Sequence, residues 1–369
     1  MKYYIIAGEA SGDLHGSKLI EALKEKDLNA QIRFWGGDLM QKAGGELVKH
    51  YKMLAFMGFW EVIINLGIIL KNIAFCKKDI SQFQPDVIIY IDYPGFNLRI
   101  AKWAKRKGFK NHFYISPQVW AWKENRVHQM KKDLDALYVI LPFEKDFFEN
   151  KYRFKVKFVG HPILDTLSNT KKSIAFIKKN KLSDKNNIIA LLPGSRKQEI
   201  KKMFPIFLKV STLFPQYEFV LAGAPGIDPN WYHKFLRKEK IKIVENKTHQ
   251  LLLHAKAALV SSGTATLETG LLNVPQVVCY RSSFLTFQIA KWLIKLKYIS
   301  LVNLILDREV VKELIQKTFN VIEVKKNLEY ALSEKGQNKI KRDYVELRTI
   351  MSVGGASKKT AQYIIDALN

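Results

Sequence analysis

Cysteine is nearly absent from this chain: Cys76 and Cys279 are the only two in 369 residues. They lie far apart and outside any CxxC spacing, which argues against a disulfide framework or a zinc site and fits a reducing, cytoplasmic compartment. Long apolar runs are missing too. The most apolar stretch, Met57 to Cys76, is interrupted by Glu61, Asn65, Lys71 and Asn72 and falls short of the roughly 18 unbroken apolar residues of a membrane span. The N-terminus carries one lysine and a short apolar run, Tyr3 to Ala7, before Gly8 and Glu9, so it reads as a first strand and not as a signal peptide. Acidic residues are scarce beside basic ones, 34 against 60, and the net charge is +26. That excess draws a protein towards nucleic acid, anionic lipid or phosphorylated substrates without choosing among them, and a lysine-rich background composition gives the same sum. Neither an internal repeat nor a low-complexity segment occurs.

What is present is a globular composition, 47% hydrophobic and 12% aromatic, in a length that suits two domains with separate cores. Short apolar strands alternate with helical segments along the chain, at Tyr3–Ala7, Ile32–Trp35, Val87–Ile91, His112–Ile115, Ala136–Leu141 and Phe154–Val159, and this predicts a doubly wound parallel sheet. A polar, lysine-rich segment, Ser168 to Asn187, reads as a linker, after which Ile188–Leu192, Glu218–Leu221, Ile241–Val244, Ala257–Val260 and Gln276–Tyr280 build a second sheet. Beyond Asp307 the chain reads as charged helices broken near Gly354 and Gly355.

Ala257 to Glu268, AALVSSGTATLE, organises the second half: a buried strand, a turn at Ser261–Thr264 and a helix from Ala265. Amides at such a turn, backed by the helix dipole and with Gly263 permitting close approach, suit an anion. Glu268, one helical turn past Thr264, is placed to accept hydrogen bonds from a ribose diol beside that anion, and the pair suggests a nucleotide. A simple capped strand-to-helix turn has the same appearance. Pro193 to Ile200, PGSRKQEI, repeats the design with Arg196 at a helix start, where its guanidinium offers a fork to phosphate or pairs with Glu199.

In the first half the turn of AGEASGD, Ala7 to Asp13, is not GxGxxG and carries Glu9, Ser11 and Asp13, groups that repel a pyrophosphate but hydrogen-bond a sugar, or cap the first helix. Asp92 follows the buried strand Val87–Ile91 at its carboxyl end, where ligands bind in open α/β sheets; partial burial would raise its pKa towards that of a working general base, and a helix N-cap is the competing role. His161 reads as a loop hydrogen-bonder. Two segments, Ala55 to Ile80 and Phe284 to Leu296, combine aromatic and aliphatic residues with flanking lysines, as an interfacial membrane helix does and as a packed core helix also can.

Taken in order, AGEASGD, MGFWEV (Met57 to Val62), PDVIIYIDYPGFN (Pro85 to Asn97), YISPQVWAW (Tyr114 to Trp122), LPFE (Leu141 to Glu144), FVGHP (Phe158 to Pro162), LLPGSR, SGTATLE and YISLVNLI (Tyr298 to Ile305) resemble the lipid-A-disaccharide synthase family over most of the chain. The resemblance implies a GT-B fold: two Rossmann-like, doubly wound parallel-sheet domains facing an inter-domain cleft. The first, residues 1–167 with a C-terminal helix from about 345 to 369, would bind the acceptor, and the second, 168–344, the UDP-sugar. The implied reaction is inverting transfer of 2,3-diacylglucosamine from UDP to 2,3-diacylglucosamine 1-phosphate, giving a β-1,6-linked disaccharide and UDP, with no metal and no cofactor. By position, Asp92 matches the family's base and Glu9 a second acid on the acceptor side, where Ser11, Asp13 and Asn97 also fall; Arg196, Ser262, Gly263 and Thr264 match the diphosphate turns, Glu268 the ribose-binding glutamate and Asn303 an asparagine near the phosphates. Gly95, Lys256 and Val302 depart from the family's usual Asp, Asp and Pro. The resemblance further implies peripheral attachment to the cytoplasmic face of the inner membrane, and leaves a homodimer open. A UDP-sugar epimerase on the same fold, and a basic nucleic-acid or membrane-binding module, are the alternatives.

Overall fold

The structure, a computed structural model, describes residues 1–54, 66–168, 170–185, 187–236, 241–283, 287–288, 296–351 and 354–369. The chain divides into two compact units, Met1–Asp165 with Val353–Asn369, and Thr166–Ser352.

The first unit runs β1 (Lys2–Ala7), α1 (Ala10–Lys26), β2 (Gln31–Gly36), α2 (Asp38–Ala43), β3 (Glu46–His50), α3 (Leu66–Phe83), β4 (Val87–Ile91), α4 (Pro94–Arg106), β5 (Lys110–Tyr114), α5 (Arg126–Asp133), β6 (Ala136–Val139), α6 (Pro142–Asp146) and β7 (Lys157–Phe158). Its seven described strands are parallel, in the order β3-β2-β1-β4-β5-β6-β7. β1 and β4 are apolar along almost their whole length because both faces are covered: Tyr4, Ile6, Ile88 and Tyr90 enter one core, while Tyr3, Ile5, Val87, Ile89 and Ile91 enter the other. The strand order turns back between β1 and β4, so the loops leaving their carboxyl ends flank a crevice, the usual ligand position in such sheets.

At the junction, α7 (Ile163–Leu167) leads into the second unit: α8 (Ile174–Lys179), β8 (Ile188–Leu192), α9 (Lys197–Ser211), β9 (Glu218–Gly223), α10 (Asn230–His233), β10 (Lys242–Glu245), α11 (Thr248–His254), β11 (Ala255–Ser261), α12 (Thr264–Leu271), β12 (Gln276–Tyr280), α13 (Leu301–Leu306), β13 (Lys312–Ile315), α14 (Val321–Leu332) and α15 (Glu334–Met351). Its six described strands, also parallel, follow the order β10-β9-β8-β11-β12-β13, which turns back between β8 and β11. The expected linker is not one: Phe176, Ile177 and Leu182 are buried in this unit's core with β8. Its lysines are the exposed face of α8, and the apolar residues between them anchor it.

Two further expectations change. β13 interrupts the stretch read as charged helices, and α15 stays in the second unit to Met351, with Tyr344, Leu347 and Met351 buried and Tyr344 Oη accepting from Gln276 Nε2 at 3.0 Å. The return to the first unit is made by α16 (Ala356–Asp366), whose Ala356, Ala361 and Ile364 join Leu19, Ile20 and Leu23 of α1 in one core. Among the described residues no helix is long and apolar enough to cross a membrane. Residues 55–65, 284–286 and 289–295 of the two apolar, basic segments, MGFWEV among them, lie outside the described residues.

Candidate active site

At the carboxyl edge of the first sheet, β4 does not run smoothly into α4. Asp92 and Tyr93 both adopt left-handed backbone, φ 45° and 49°, before Pro94 opens the helix. For residues with a Cβ each such conformation costs on the order of 1–2 kcal/mol and persists only where the surroundings impose it. Those surroundings are specific. Asn97, fully buried, donates from Nδ2 to the Asp92 carbonyl at 2.7 Å and to the carbonyls of Ile6 and Ile91 at 3.3 and 3.4 Å. The Asp92 amide donates to the Tyr114 carbonyl of β5 at 3.3 Å. The Tyr93 ring lies against the backbone of Gly8, where a Cβ would stand 2.3 Å from it, and stacks on Phe96.

The strained turn sets the Asp92 carboxyl beside the loop that leaves β1. Burial and the nearby charge of Glu9 push its pKa up from 3.8 to about 6, against a smaller opposing effect of the Tyr93 amide. Glu9 is the N-cap of α1 but makes no side-chain capping bond, so its carboxylate remains available at the crevice. Ser11 is exposed on the first turn of α1. Asp13 is a correction. It is buried, and its oxygens accept from the amides of Gly37, Leu39 and Met40 at 2.8, 3.1 and 3.0 Å, so its carboxylate is engaged in capping α2. Asn97, placed on the acceptor side from sequence, supports Asp92 from beneath; its Oδ1 is buried without a partner among the described residues. His161 is buried, accepts at Nδ1 from the Ile163 amide at 3.2 Å, and is held neutral by burial and by His15, its pKa lowered to about 3.

In the second unit the two glycine turns lie side by side at the ends of neighbouring strands β8 and β11. Gly194 has φ +120° and Gly263 φ +136°, conformations that exclude a side chain, and a Cβ on Gly194 would lie 3.4 Å from Ser261 Oγ. Both turns lead directly into helices, α9 and α12, whose first amides have no intrahelical partner. Arg196 is the N-cap residue of α9 with its side chain 67% exposed, and its nearest carboxylate, Glu199, is 3.8 Å away. Thr264 is exposed at the start of α12, while Ser262 donates its hydroxyl to the Ile299 carbonyl at 2.8 Å and keeps lone pairs free. Glu268 lies one turn further along α12, 2.8 Å from His249 Nε2 of α11.

Asn303 is the second correction. It is fully buried: Nδ2 donates to the Val311 carbonyl and to Glu313, at 2.8 and 2.9 Å, and Oδ1 accepts from the amides of Val310 and Val311, at 2.8 and 3.0 Å. All its hydrogen-bonding capacity is used in joining α13 to β13 and the residues just before it, which leaves none for a phosphate. Of the departures from family pattern, Gly95 faces open space, Lys256 lies over the Tyr217 ring, and Val302 is buried against Gly270.

Three polar groups to which sequence reasoning assigned no role are part of these edges. Glu144, buried, accepts from the amides of Ile140 and Leu141 and from Trp120 Nε1 at 3.0, 2.9 and 3.0 Å, which fixes the loop Ser116–Trp122; burial raises its pKa to about 7. Glu313 accepts from the amides of Ile299 and Ser300. His249 holds Glu268. The LPFE match marked Glu144; His249 and Glu313 sit in no motif.

Residues 3–366 match the family model for lipid-A-disaccharide synthetase. The chain is similar to the lipid-A-disaccharide synthase of Syntrophus aciditrophicus, 35% identical over 97% of this chain and 95% of that one, and to lipid-A-disaccharide synthase 1 of Legionella pneumophila strain Paris, 37% identical over 91% and 89%. Its fold is similar to a kitacinnamycin glycosyltransferase (TM-score 0.69, 12% identity, covering 100% and 99% of the two chains) and to a UDP-GlcNAc 2-epimerase of Neisseria meningitidis bound to UDP-GlcNAc (0.69, 15%, 99% and 100%). These two share the GT-B architecture alone.

Proposed function

Since the chain belongs to the lipid-A-disaccharide synthase family and performs its UDP-sugar glycosyl transfer in lipid A biosynthesis, we propose the residues that carry each part of that reaction. The donor is UDP-2,3-diacylglucosamine and the acceptor 2,3-diacylglucosamine 1-phosphate. Asp92 is the general base. As the acceptor 6-hydroxyl attacks C1 of the donor, its proton passes to the Asp92 carboxylate, the C1–O bond to UDP breaks, and configuration at C1 inverts. The observation that carries this is the half-buried carboxyl on a left-handed backbone, its pKa pushed up to about 6 and so matched to proton transfer near neutrality. Glu9 tunes that pKa and binds acceptor hydroxyls with Ser11.

Negative charge grows on the departing diphosphate, and Arg196 with the free amides at Gly263 and Thr264 is placed to stabilise it without any metal. Glu268, oriented by His249, takes the ribose hydroxyls. The first unit thus serves the acceptor and the second the nucleotide. Membrane attachment is supported by α3, which buries Ile73, Cys76 and Ile80 yet exposes Ile68, Leu70 and Phe75 at 46%, 54% and 47%, beside Lys71, Lys77 and Lys78.

Asp92→Asn should abolish disaccharide formation while UDP affinity stays at the wild-type value. Arg196→Ala and Glu268→Ala should instead weaken UDP binding by roughly 1.5–3 kcal/mol each, read by calorimetric titration. Turnover retained in Asp92→Asn, or UDP affinity unmoved in both others, removes the corresponding role.

A further inference from the structure

Arg99, Lys123 and Arg126 have no carboxylate at ion-pair distance among the described residues. Glu124, which sits between two of them in sequence, pairs with Lys151. The three cations feel one another: Arg99 disfavours the charge on Arg126, and Arg126 that on Lys123, after the larger effect of desolvation. Trp122, 42% exposed, lies beneath the pair, its ring centroid 4.5 Å from Lys123 Nζ and 5.5 Å from Arg126 Cζ.

This group is rigidly mounted. Its loop begins at Ile115, φ 65°, a conformation rare for a β-branched residue, and ends at Lys123, φ 56°, whose carbonyl accepts from the Arg126 amide at 3.0 Å. Between them the loop is tied by Trp120 to the buried Glu144. Holding Lys123 and Arg126 together at the end of this strained loop, near Arg99 of α4 and with no counter-ion among the described residues, costs free energy, and an anion supplied by a ligand recovers it.

The position narrows the ligand. β4 and β5 are adjacent and parallel, so the loop carrying Asp92 and the loop carrying Trp122 leave the same edge of the sheet. Arg99 stands five residues along α4 from Pro94, roughly 8 Å at about 1.5 Å per residue, the scale of one sugar ring with its substituents. We propose that Arg99, Lys123 and Arg126, with Trp122 beside them, bind the phosphate monoester of the acceptor and set the preference for a phosphorylated acceptor sugar. Guanidinium forks suit phosphate oxygens, and the ring keeps water from one side of the cations. The inference rests on reading this sheet edge as the acceptor side.

The test compares kcat/KM for diacylglucosamine 1-phosphate and for the same sugar without phosphate, in wild type and in Arg99→Gln/Arg126→Gln. The wild type should favour the phosphorylated acceptor, and the double variant should lose at least about tenfold of that preference, with the KM for UDP-sugar unchanged and partial rescue in Arg99→Lys/Arg126→Lys. Lys123→Gln alone should move the ratio in the same direction. An unchanged ratio overturns the inference, as does an unchanged ratio accompanied by weaker binding to anionic phospholipid vesicles, which assigns the cluster to lipid headgroups. Near-normal turnover in Asp92→Asn, with the ratio still sensitive to Arg99 and Arg126, overturns the base and leaves the phosphate site standing.

Discussion

Asp92 occupies a backbone conformation that asparagine tolerates and alanine does not, so Asp92→Asn removes the charge without releasing the turn. Its raised pKa makes two pH-dependent predictions. As a base it must be ionised, so kcat/KM should fall below an apparent pKa of about 6. Glu9→Gln removes a like charge and should move that limb to lower pH; a limb that stays in place would separate Glu9 from Asp92. For stability the sign is opposite to that of a salt-bridged carboxylate. The folded state binds the Asp92 proton more tightly than the unfolded chain, so ionisation lowers stability progressively as pH rises from 3.8 to about 6, and the loss is complete above that. Asp92→Asn should therefore raise stability by about 1–3 kcal/mol at pH 8 and by little at pH 3.5, measured by denaturant unfolding at both. Equal effects at the two pH values would contradict the burial of that charge.

At the scale of elements, the glycine turns hold the geometry. Gly194→Ala places a methyl where φ is +120° and 2.7 Å from Glu199 Oε2, so it should impair UDP binding more than acceptor KM. Gly8→Ala drives Tyr93 off the backbone and should lower kcat with UDP affinity intact; the reverse pattern in either variant would exchange the two edges' roles. These edges were legible because each joins an apolar strand to a glycine or an acid in consecutive residues, as at Val87–Asp92 and Ala257–Thr264. Asp13 and Asn303 look the same in sequence as the candidate ligand groups, and only their partners, the start of α2 for one and residues 310–313 for the other, reveal scaffold duty. Glu313 and His249 were invisible for the same reason. β3 and β13 escaped because these edge strands are half exposed and carry mixed polar and apolar residues, ELVKH and KELI, without the apolar run that marked the central strands.

At the scale of the whole molecule, the two units have separate cores, and one of them depends on α16. Deleting residues 353–369 uncovers Leu19, Ile20 and Leu23 on α1. Calorimetry should then show the first unit's transition lowered or lost while the second unit's is unmoved; a uniform shift of both would mean they melt as one. If the proposed membrane attachment holds, the surplus of basic residues, +26, should make binding to anionic vesicles weaken with added salt, as screening shortens towards about 8 Å at physiological ionic strength.

The late arrival of α16 also has a consequence for biogenesis. While the ribosome is still translating the second unit, the first 165 residues have emerged with an oily stripe along α1 that nothing nascent can yet cover. The second unit, Thr166–Ser352, has all its pieces first and can finish before the first. A trigger-factor-like holdase should therefore stay on the early-made segment until the closing helix is synthesised.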